Sequence, residues 1–314
     1  MTTAAHAPAP HYRGRLAPSP TGYLHIGHAL TFHAAWLRAR DAHGTLVMRM
    51  EDLDTERSRA VYADAAYEDL RWLGMAWQEG PDVDGPFAPY QQSRRGDFYR
   101  SAWRRLFAGG FIYPCRCSRK DLASALTAPH ERVPGASDEG PTDEPLDDEP
   151  IYPGTCRPGT CRPPLHEATS EALLAGADSP GPMNWRFRVP DGEAIEFIDG
   201  NLGPQRFLAG VDFGDFLVWR RDGEPSYQLA CVVDDAAMQI TEVVRGADLL
   251  KSTARQILLN RALGYANPAW FHCRLVTDSS GKRLAKRHDA FSIRALRERG
   301  MTPEEVLNME SLHR

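Results

Sequence analysis

The sequence predicts an α/β protein built on a doubly wound parallel sheet, and three stretches carry that prediction. Near the start, Gly14 to Ala17 reads as the end of a buried strand. Pro18, Ser19, Pro20 and Gly22 then break regular structure, and a helical pattern runs from near Gly27 to His43-Gly44. Thr45-Leu-Val-Met-Arg-Met50 follows as a second β-rich run and completes a strand–helix–strand unit. Far downstream, Thr241-Glu-Val-Val-Arg245-Gly repeats the pattern of a strand ended by a glycine, with helical spacing after it from about Ser252 to Leu263. In an open parallel sheet, ligands occupy the crevice at the carboxyl ends of such strands.

Length and composition bound the rest. A chain of 314 residues buries a substantial core and suits one large domain with one or two insertions. No apolar run approaches membrane-spanning length, and the first ten residues lack the charged and apolar regions of a signal peptide. A cytoplasmic location with no membrane partner is therefore expected. Six cysteines in a chain of this size do not suggest a disulfide framework, and their grouping at 115, 117, 156 and 161 points to metal. Cys231 and Cys273 stand alone and read as core thiols. The net charge of −5 hides an asymmetry: residues 127–150 hold eight carboxylates and one arginine, while residues 251–314 hold twelve Lys/Arg and six Asp/Glu. The basic end gives a phosphate backbone a place to land.

Taken in order, the first loop opens a helix whose leading N–H groups favour a phosphate. His25 and His28, spaced i, i+3, share a face there, and Gly27 exposes backbone between them. Such donors suit the charge that grows on a triphosphate's α-phosphate under attack. Glu51 ends the second strand at the same sheet edge, whereas Asp54 or Thr55 suits a helix cap. Ala60 to Leu73 is a core-facing helix, and Gln91 to Phe107 is an amphipathic helix with five arginines, read as a solvated face or an RNA contact.

Tyr113-Pro-Cys115-Arg-Cys117 and Tyr152-Pro-Gly-Thr-Cys156-Arg-Pro-Gly-Thr-Cys161 form two ligand clusters of the kind that hold a tetrahedral structural zinc. Spacing alone favours Cys115, Cys117, Cys156 and Cys161. Between the clusters, residues 127–150 contain five prolines and no Phe, Tyr or Trp, so the segment reads as a disordered loop. Asn184–Pro190 and Ala194–Gly200 alternate like strands, with a turn at Asp199-Gly200-Asn201. Phe216–Arg220 and Pro225–Asp235 read as the chain's return to the sheet, and Tyr227 there suits either core or site. Arg245, at a strand tip, is costly to bury without a carboxylate.

The stretch Arg15-Leu-Ala-Pro-Ser-Pro-Thr-Gly-Tyr-Leu-His25-Ile-Gly-His28 resembles the "HIGH" signature of class I aminoacyl-tRNA synthetases, and its lead-in resembles the glutamyl branch. Arg283-Leu-Ala-Lys286-Arg287 resembles the companion Lys-Met-Ser-Lys-Ser signature; it departs at Arg283, Ala285 and Arg287 and keeps the central Lys286. The likeness runs from about Arg13 to about Ser292. It implies a class I synthetase, Rossmann-type fold with a zinc-bearing insertion that activates L-glutamate with ATP, Mg²⁺ arriving with the triphosphate. His25, Gly27, His28 and Lys286 would bind ATP, with His25, His28 and Lys286 catalytic. Arg15, Leu16, Ala17, Pro18, Ser19, Glu51, Tyr227 and Arg245 would bind glutamate, Glu51 taking its ammonium group. The expected organisation is a tail at 1–12, the first half of the nucleotide-binding domain at 13–108, the insertion at 109–205, the second half at 206–292 and a short tail at 293–314.

Within that family, Tyr-Pro-Gly-Thr-Cys resembles the metal knuckle of the glutamyl-Q tRNA(Asp) synthetases, which implies Cys115, Cys117, Tyr152 and Cys156 as zinc ligands. Only 27 residues follow Arg287, where a glutamyl-tRNA synthetase continues into an anticodon-binding region. The resemblance thus implies transfer of glutamate to queuosine in the tRNA(Asp) anticodon stem-loop, with Lys251, Arg255 and Arg261 as a basic flank. A truncated glutamyl-tRNA synthetase charging a 3′ end, or a small-molecule adenylyl- or nucleotidyltransferase, is the alternative.

Overall fold

A computed structural model of the chain describes residues 11–117, 151–159, 179–276 and 291–309. Strand β1 (Arg13–Leu16) leads through the Pro/Gly loop into helix α1 (Ile26–Asp41), and β2 (Thr45–Met48) returns parallel to β1, Arg13 opposite Thr45 and Leu16 opposite Met48. The turn between α1 and β2 depends on Gly44, where a Cβ atom would sit 2.5 Å from the Tyr12 carbonyl oxygen. Helix α2 (Ala60–Trp72) follows, and the chain at Gln78-Glu79 then extends the sheet past β2: Gln78 donates to the Leu46 carbonyl and Met48 to that of Glu79.

Strand β8 (Glu242–Gly246) lies on the other side of β1. The Thr241 N–H donates to the Arg13 carbonyl, and the Arg15 guanidinium reaches the Val244 carbonyl, so the two strands advance together. Strand β9 (Ala269–Cys273) pairs parallel to β8 after helix α5 (Leu250–Leu263) crosses over. β1 and β8 are therefore neighbours from the two halves of the chain, and chain direction outward from them reverses at that line. This is the topological switch point of a doubly wound sheet, where a crevice opens at the strands' carboxyl ends.

The remainder departs from the sequence reading in three places. Helix α3 (Gly96–Ala108) leads to β3 (Ile112–Cys115), which pairs antiparallel with β4 (Asn184–Phe187). Strand β7 (Phe216–Trp219), expected in the parallel sheet, instead pairs antiparallel with β4. The hairpin of β5 (Ala194–Asp199) and β6 (Gly203–Leu208) joins the edge of β9 through Asp199 and Gly200. Most telling, residues 227–237 are not a strand but helix α4 (Tyr227–Ala237), capped by the Ser226 hydroxyl accepting from the Leu229 N–H. Every residue from Gln228 to Asp235 is buried, and a helix buried all round shows no amphipathic period to read.

The segment expected as a C-terminal tail also packs. Helices α6 (Ile293–Glu298) and α7 (Pro303–Leu307) bury Ile293, Leu296 and Val306 in the cluster that holds α1, β1, β2 and α2. A second cluster, centred on Trp103, Trp185, Phe187 and Phe216, binds α3 and the antiparallel sheet to α4 and α5. Among the described residues no helix is long and apolar enough to cross a membrane.

Candidate active site

Histidine 25 is the N-cap of α1. Its Nδ1 accepts the Gly27 N–H at 3.1 Å, while the His25 N–H donates to Nδ1 of His28 at 3.3 Å. Both Nδ1 atoms act as acceptors, so each neutral ring carries its proton on Nε2. The rings lie 3.8 Å apart, centroid to centroid. A Cβ on residue 27 would meet the His25 ring at 3.1 Å, which ties the glycine to this closely packed, tilted pair. His25 bridges to Ser292, the cap of α6, and the Ile293 N–H donates to the Leu24 carbonyl. The chain emerging from the Lys286 stretch is thereby fastened to the His25 turn; Lys286 itself lies outside the described residues.

The loop after β1 is bracketed by the chain leaving β2. The Arg49 N–H donates to the Leu16 carbonyl and the Glu51 N–H to that of Pro18, which sets Glu51 beside the expected Leu16–Ser19 wall; Ala17 is half-buried and Ser19 exposed. Arg49, fully buried between two methionines, links the carboxylates of the region: Nη2 holds Glu51 at 2.9 Å and Nη1 holds Asp235 at 2.6 Å. Asp235 also lies 3.5 Å from Nε of Arg15, whose Nη1 donates to the Val244 carbonyl. Burial pushes the Asp235 carboxyl up, but Arg49 and Arg15 outweigh it and hold the group below its ordinary value.

Helix α4 brings the rest. Tyr227, Cys231 and Asp235, four residues apart, share one face, and the Cys231 thiol donates to Glu51 at 3.6 Å. Burial pushes both the Tyr227 phenol and the Cys231 thiol up, so both stay protonated. Asp234 points the other way and accepts from Arg95 at 2.6 Å, Gln92 at 2.8 Å and Tyr99 at 2.9 Å. Arg95 is thus a core strut, not part of the solvated or RNA-facing surface its helix suggested.

Arg245, 5% exposed at the tip of β8, has an environment the sequence did not foretell. Its partners are neutral: Nε donates to His272 Nε2 at 3.2 Å, Nη1 to Gln256 at 2.9 Å and Nη2 to the Thr253 hydroxyl at 2.7 Å. No carboxylate among the described residues pairs with it. Beyond an arginine inside an apolar strand and the four-residue recurrence in α4, nothing local in the sequence marks Arg49, Asp235, His272 or Asp199, whereas Cys231 is the buried core thiol the sequence suggests and in addition faces Glu51. In the basic flank, Arg255 needs correction, since it is buried at 3% exposure, whereas Arg261 is exposed and pairs with Glu193 at the surface.

Away from the crevice, Cys115, Cys117 and Cys156 converge, their sulfur atoms within 4.8 Å of one another. The Tyr152 hydroxyl lies 3.5 Å from Cys115 Sγ and 3.6 Å from Cys117 Sγ, which is itself 3.6 Å from Cys156 Sγ. A tetrahedral ion with bonds of about 2.3 Å to sulfur and 2.0 Å to oxygen sets its ligands roughly 3.5–3.8 Å apart, so the quartet fits a metal. Hydrogen bonding from Cys115 brings the Cys156 thiol down to about 4, while the same bond, with burial, pushes the Cys115 thiol up, so one proton is shared within the pair. Buried Arg186 donates to Cys115 Sγ at 3.4 Å and lies 3.9 Å over the Tyr152 ring, offsetting the negative charge of such a cluster. Cys161 lies outside the described residues.

The model of the class I tRNA synthetases for glutamate and glutamine (E and Q), catalytic domain, matches residues 11–139 and 158–313. The chain belongs to that family. It is 49% identical over 294 residues to a glutamyl-Q tRNA(Asp) synthetase of Symbiobacterium thermophilum, covering 94% of this chain and 84% of that protein. A second protein of that description, from Nitratidesulfovibrio vulgaris, is 46% identical, with 92% and 82% covered. The crystal structure of a glutamate–tRNA synthetase from Elizabethkingia anophelis superposes with a TM-score of 0.76 at 28% identity, covering 96% of this chain and 61% of that one.

Proposed function

We propose that the protein activates L-glutamate with ATP as glutamyl-adenylate and transfers it to queuosine in the anticodon of tRNA(Asp). The observation that carries the glutamate reading is Arg245, a buried cation at the switch point whose partners are all neutral. Burying a guanidinium without a counter-ion is costly, and a substrate carboxylate received with paired hydrogen bonds repays that cost on binding. Arg15 supplies a second cation next to Val244, and Glu51, held by Arg49, a carboxylate for the ammonium group. Tyr227 shares a face of α4 with Asp235, and the loop after β1 is fastened to the chain at Arg49 and Glu51.

ATP binds on the His25, Gly27 and His28 turn, with Lys286 as a further ligand. The Nε2–H groups donate to the α-phosphate as the glutamate α-carboxylate attacks it and pyrophosphate leaves. Lys286 neutralises the same developing charge, and Mg²⁺ accompanies the triphosphate. Positioning and preorganised charge provide most of the acceleration. The knuckle of Cys115, Cys117, Tyr152 and Cys156 holds a structural zinc that ties β3 to the chain at 152–156. Queuosine in tRNA(Asp) as the acceptor is supported by the two relatives that carry that activity in their names, at 49% and 46% identity.

Two measurements test the reading. Glutamate-dependent ATP–pyrophosphate exchange is expected without any tRNA, since every proposed contact to glutamate and ATP lies within this chain; exchange that appears only on adding tRNA counts against it. Incubation with ATP, labelled glutamate and tRNA(Asp) with or without queuosine is expected to label only the modified form. Label on the 3′ end of tRNA(Glu) would assign the protein instead to tRNA charging.

A further inference from the structure

The neutral partner of Arg245 is itself held by a charged one. His272, fully buried on β9, places Nδ1 2.6 Å from Oδ2 of Asp199. Asp199 is fixed in turn by the backbone: its carboxylate accepts the N–H groups of Asn201, Leu202 and His272. Burial raises its pKa, yet these hydrogen bonds, led by that of His272, bring it below the ordinary value, so it is a carboxylate that can only accept. The proton of the imidazole must then lie on Nδ1, and Nε2 offers a lone pair. Two donors converge on that lone pair, Arg245 Nε at 3.2 Å and the Thr253 hydroxyl at 3.1 Å. Thr253 and Gln256, both from α5, accept from the two Nη atoms.

We propose that His272, oriented by Asp199, is a positioning residue for glutamate recognition: it fixes Arg245 through a neutral nitrogen and keeps the carboxylate one imidazole away from the guanidinium. The arrangement resolves a conflict. A carboxylate in direct contact would stabilise buried Arg245 but would also compete with the substrate for it. With no anion at all, the cation would be too costly to bury. Set behind the imidazole, Asp199 offsets the charge at longer range and also selects the tautomer that accepts from Arg245. Three of the five guanidinium N–H groups are thereby engaged, and two remain for the substrate carboxylate.

The inference rests on Arg245 as a glutamate ligand, so the test includes Arg245→Gln as a reference. In ATP–pyrophosphate exchange, Asp199→Asn and His272→Gln are expected to raise KM for glutamate roughly tenfold, the scale of one buried hydrogen bond lost, while KM for ATP stays within about twofold. A larger rise is expected for Arg245→Gln. If Arg245→Gln raises KM for glutamate while both other variants match the unaltered protein, the positioning role is wrong and the glutamate reading stands. If Arg245→Gln changes nothing, the glutamate reading fails and takes this inference with it. Should either variant fail to fold, ¹⁵N-histidine NMR of the unaltered protein decides. The His272 resonance is expected to show the Nδ1-protonated neutral tautomer at pH 7, and an Nε2-protonated ring overturns the proposal.

Discussion

Asp234 and Asp235 are adjacent in sequence, yet α4 turns one toward α3 and the other toward the crevice. Asp235 has Arg49 and Arg15 against it, and its carboxyl is held low; for Asp234, burial dominates and pushes the group up despite Arg49 and Arg95. Asp234 nevertheless gathers three side-chain donors, one of them the 1%-exposed Arg95. Asp234→Ala leaves that arginine buried without its carboxylate, which costs about 3–5 kcal/mol. A urea-unfolding midpoint lowered to match is the expected result. An unchanged midpoint would mean that Arg95 finds another partner. Asp234→Asn, which keeps the shape and part of the bonding, is expected to cost less.

At the scale of elements, the insertion joins the rest of the molecule through specific side chains. Tyr113 on β3 donates to Asp215 at 2.5 Å; the same carboxylate accepts the Val189 N–H and pairs with Arg157 at 3.1 Å. Within the insertion, the cluster of Cys115, Cys117, Tyr152 and Cys156 supplies a further tie, because β3 ends on Cys115 while Tyr152 and Cys156 come from a separate stretch with no regular structure of its own. Cys115→Ser removes a thiolate that a serine hydroxyl does not replace. Metal analysis is expected to give one zinc per unaltered chain and none in the variant, with faster proteolysis confined to the knuckle. Freshly purified protein without zinc would sink the assignment.

For the whole molecule, buried titratable groups set how stability changes with pH. Burial, reinforced by nearby Arg245, brings His272 down to about 4, although Asp199 opposes the shift; Arg15 adds to the lowering, and Thr253 is its remaining polar neighbour. Between the unfolded value of 6.5 and about 4, the unfolded chain binds a proton that the folded chain refuses. Stability therefore falls as pH drops through that window, by about 3 kcal/mol at most from this residue. His33, also lowered by burial, acts with the same sign. Asp199, held low, loses its contribution only as pH falls below the ordinary carboxylate value, whereas Asp69 and Asp234, raised by burial, act in the opposite sense and above that value, adding stability as pH falls from their raised values toward it. Urea unfolding at pH 7, 5.5 and 4.5 is expected to show a declining midpoint, with a shallower decline in His272→Gln. Parallel curves for the two proteins would show that His272 does not govern the window.

The sequence by itself determined the parts whose signal is local. Strand β1, the Pro/Gly loop and α1 were legible because a buried strand, a run of breakers and a helical period follow one another within thirty residues. His25, Gly27 and His28 were legible because i, i+3 spacing at a helix start places groups without any knowledge of the rest of the fold. The cysteine clusters were visible as two pairs. Which elements meet was settled by packing across the fold. It turned residues 227–237 into a helix, because burial on every side removes the periodicity that tells helix from strand. It moved β7 out of the parallel sheet, because pairing partners 30 residues apart leave no mark on either strand. It also put Asp199 behind His272 and His272 behind Arg245, residues from β5, β9 and β8. Their relation exists in no stretch of sequence; it comes from parallel strands ending side by side, where a buried charge must find its partners across the sheet and not along the chain.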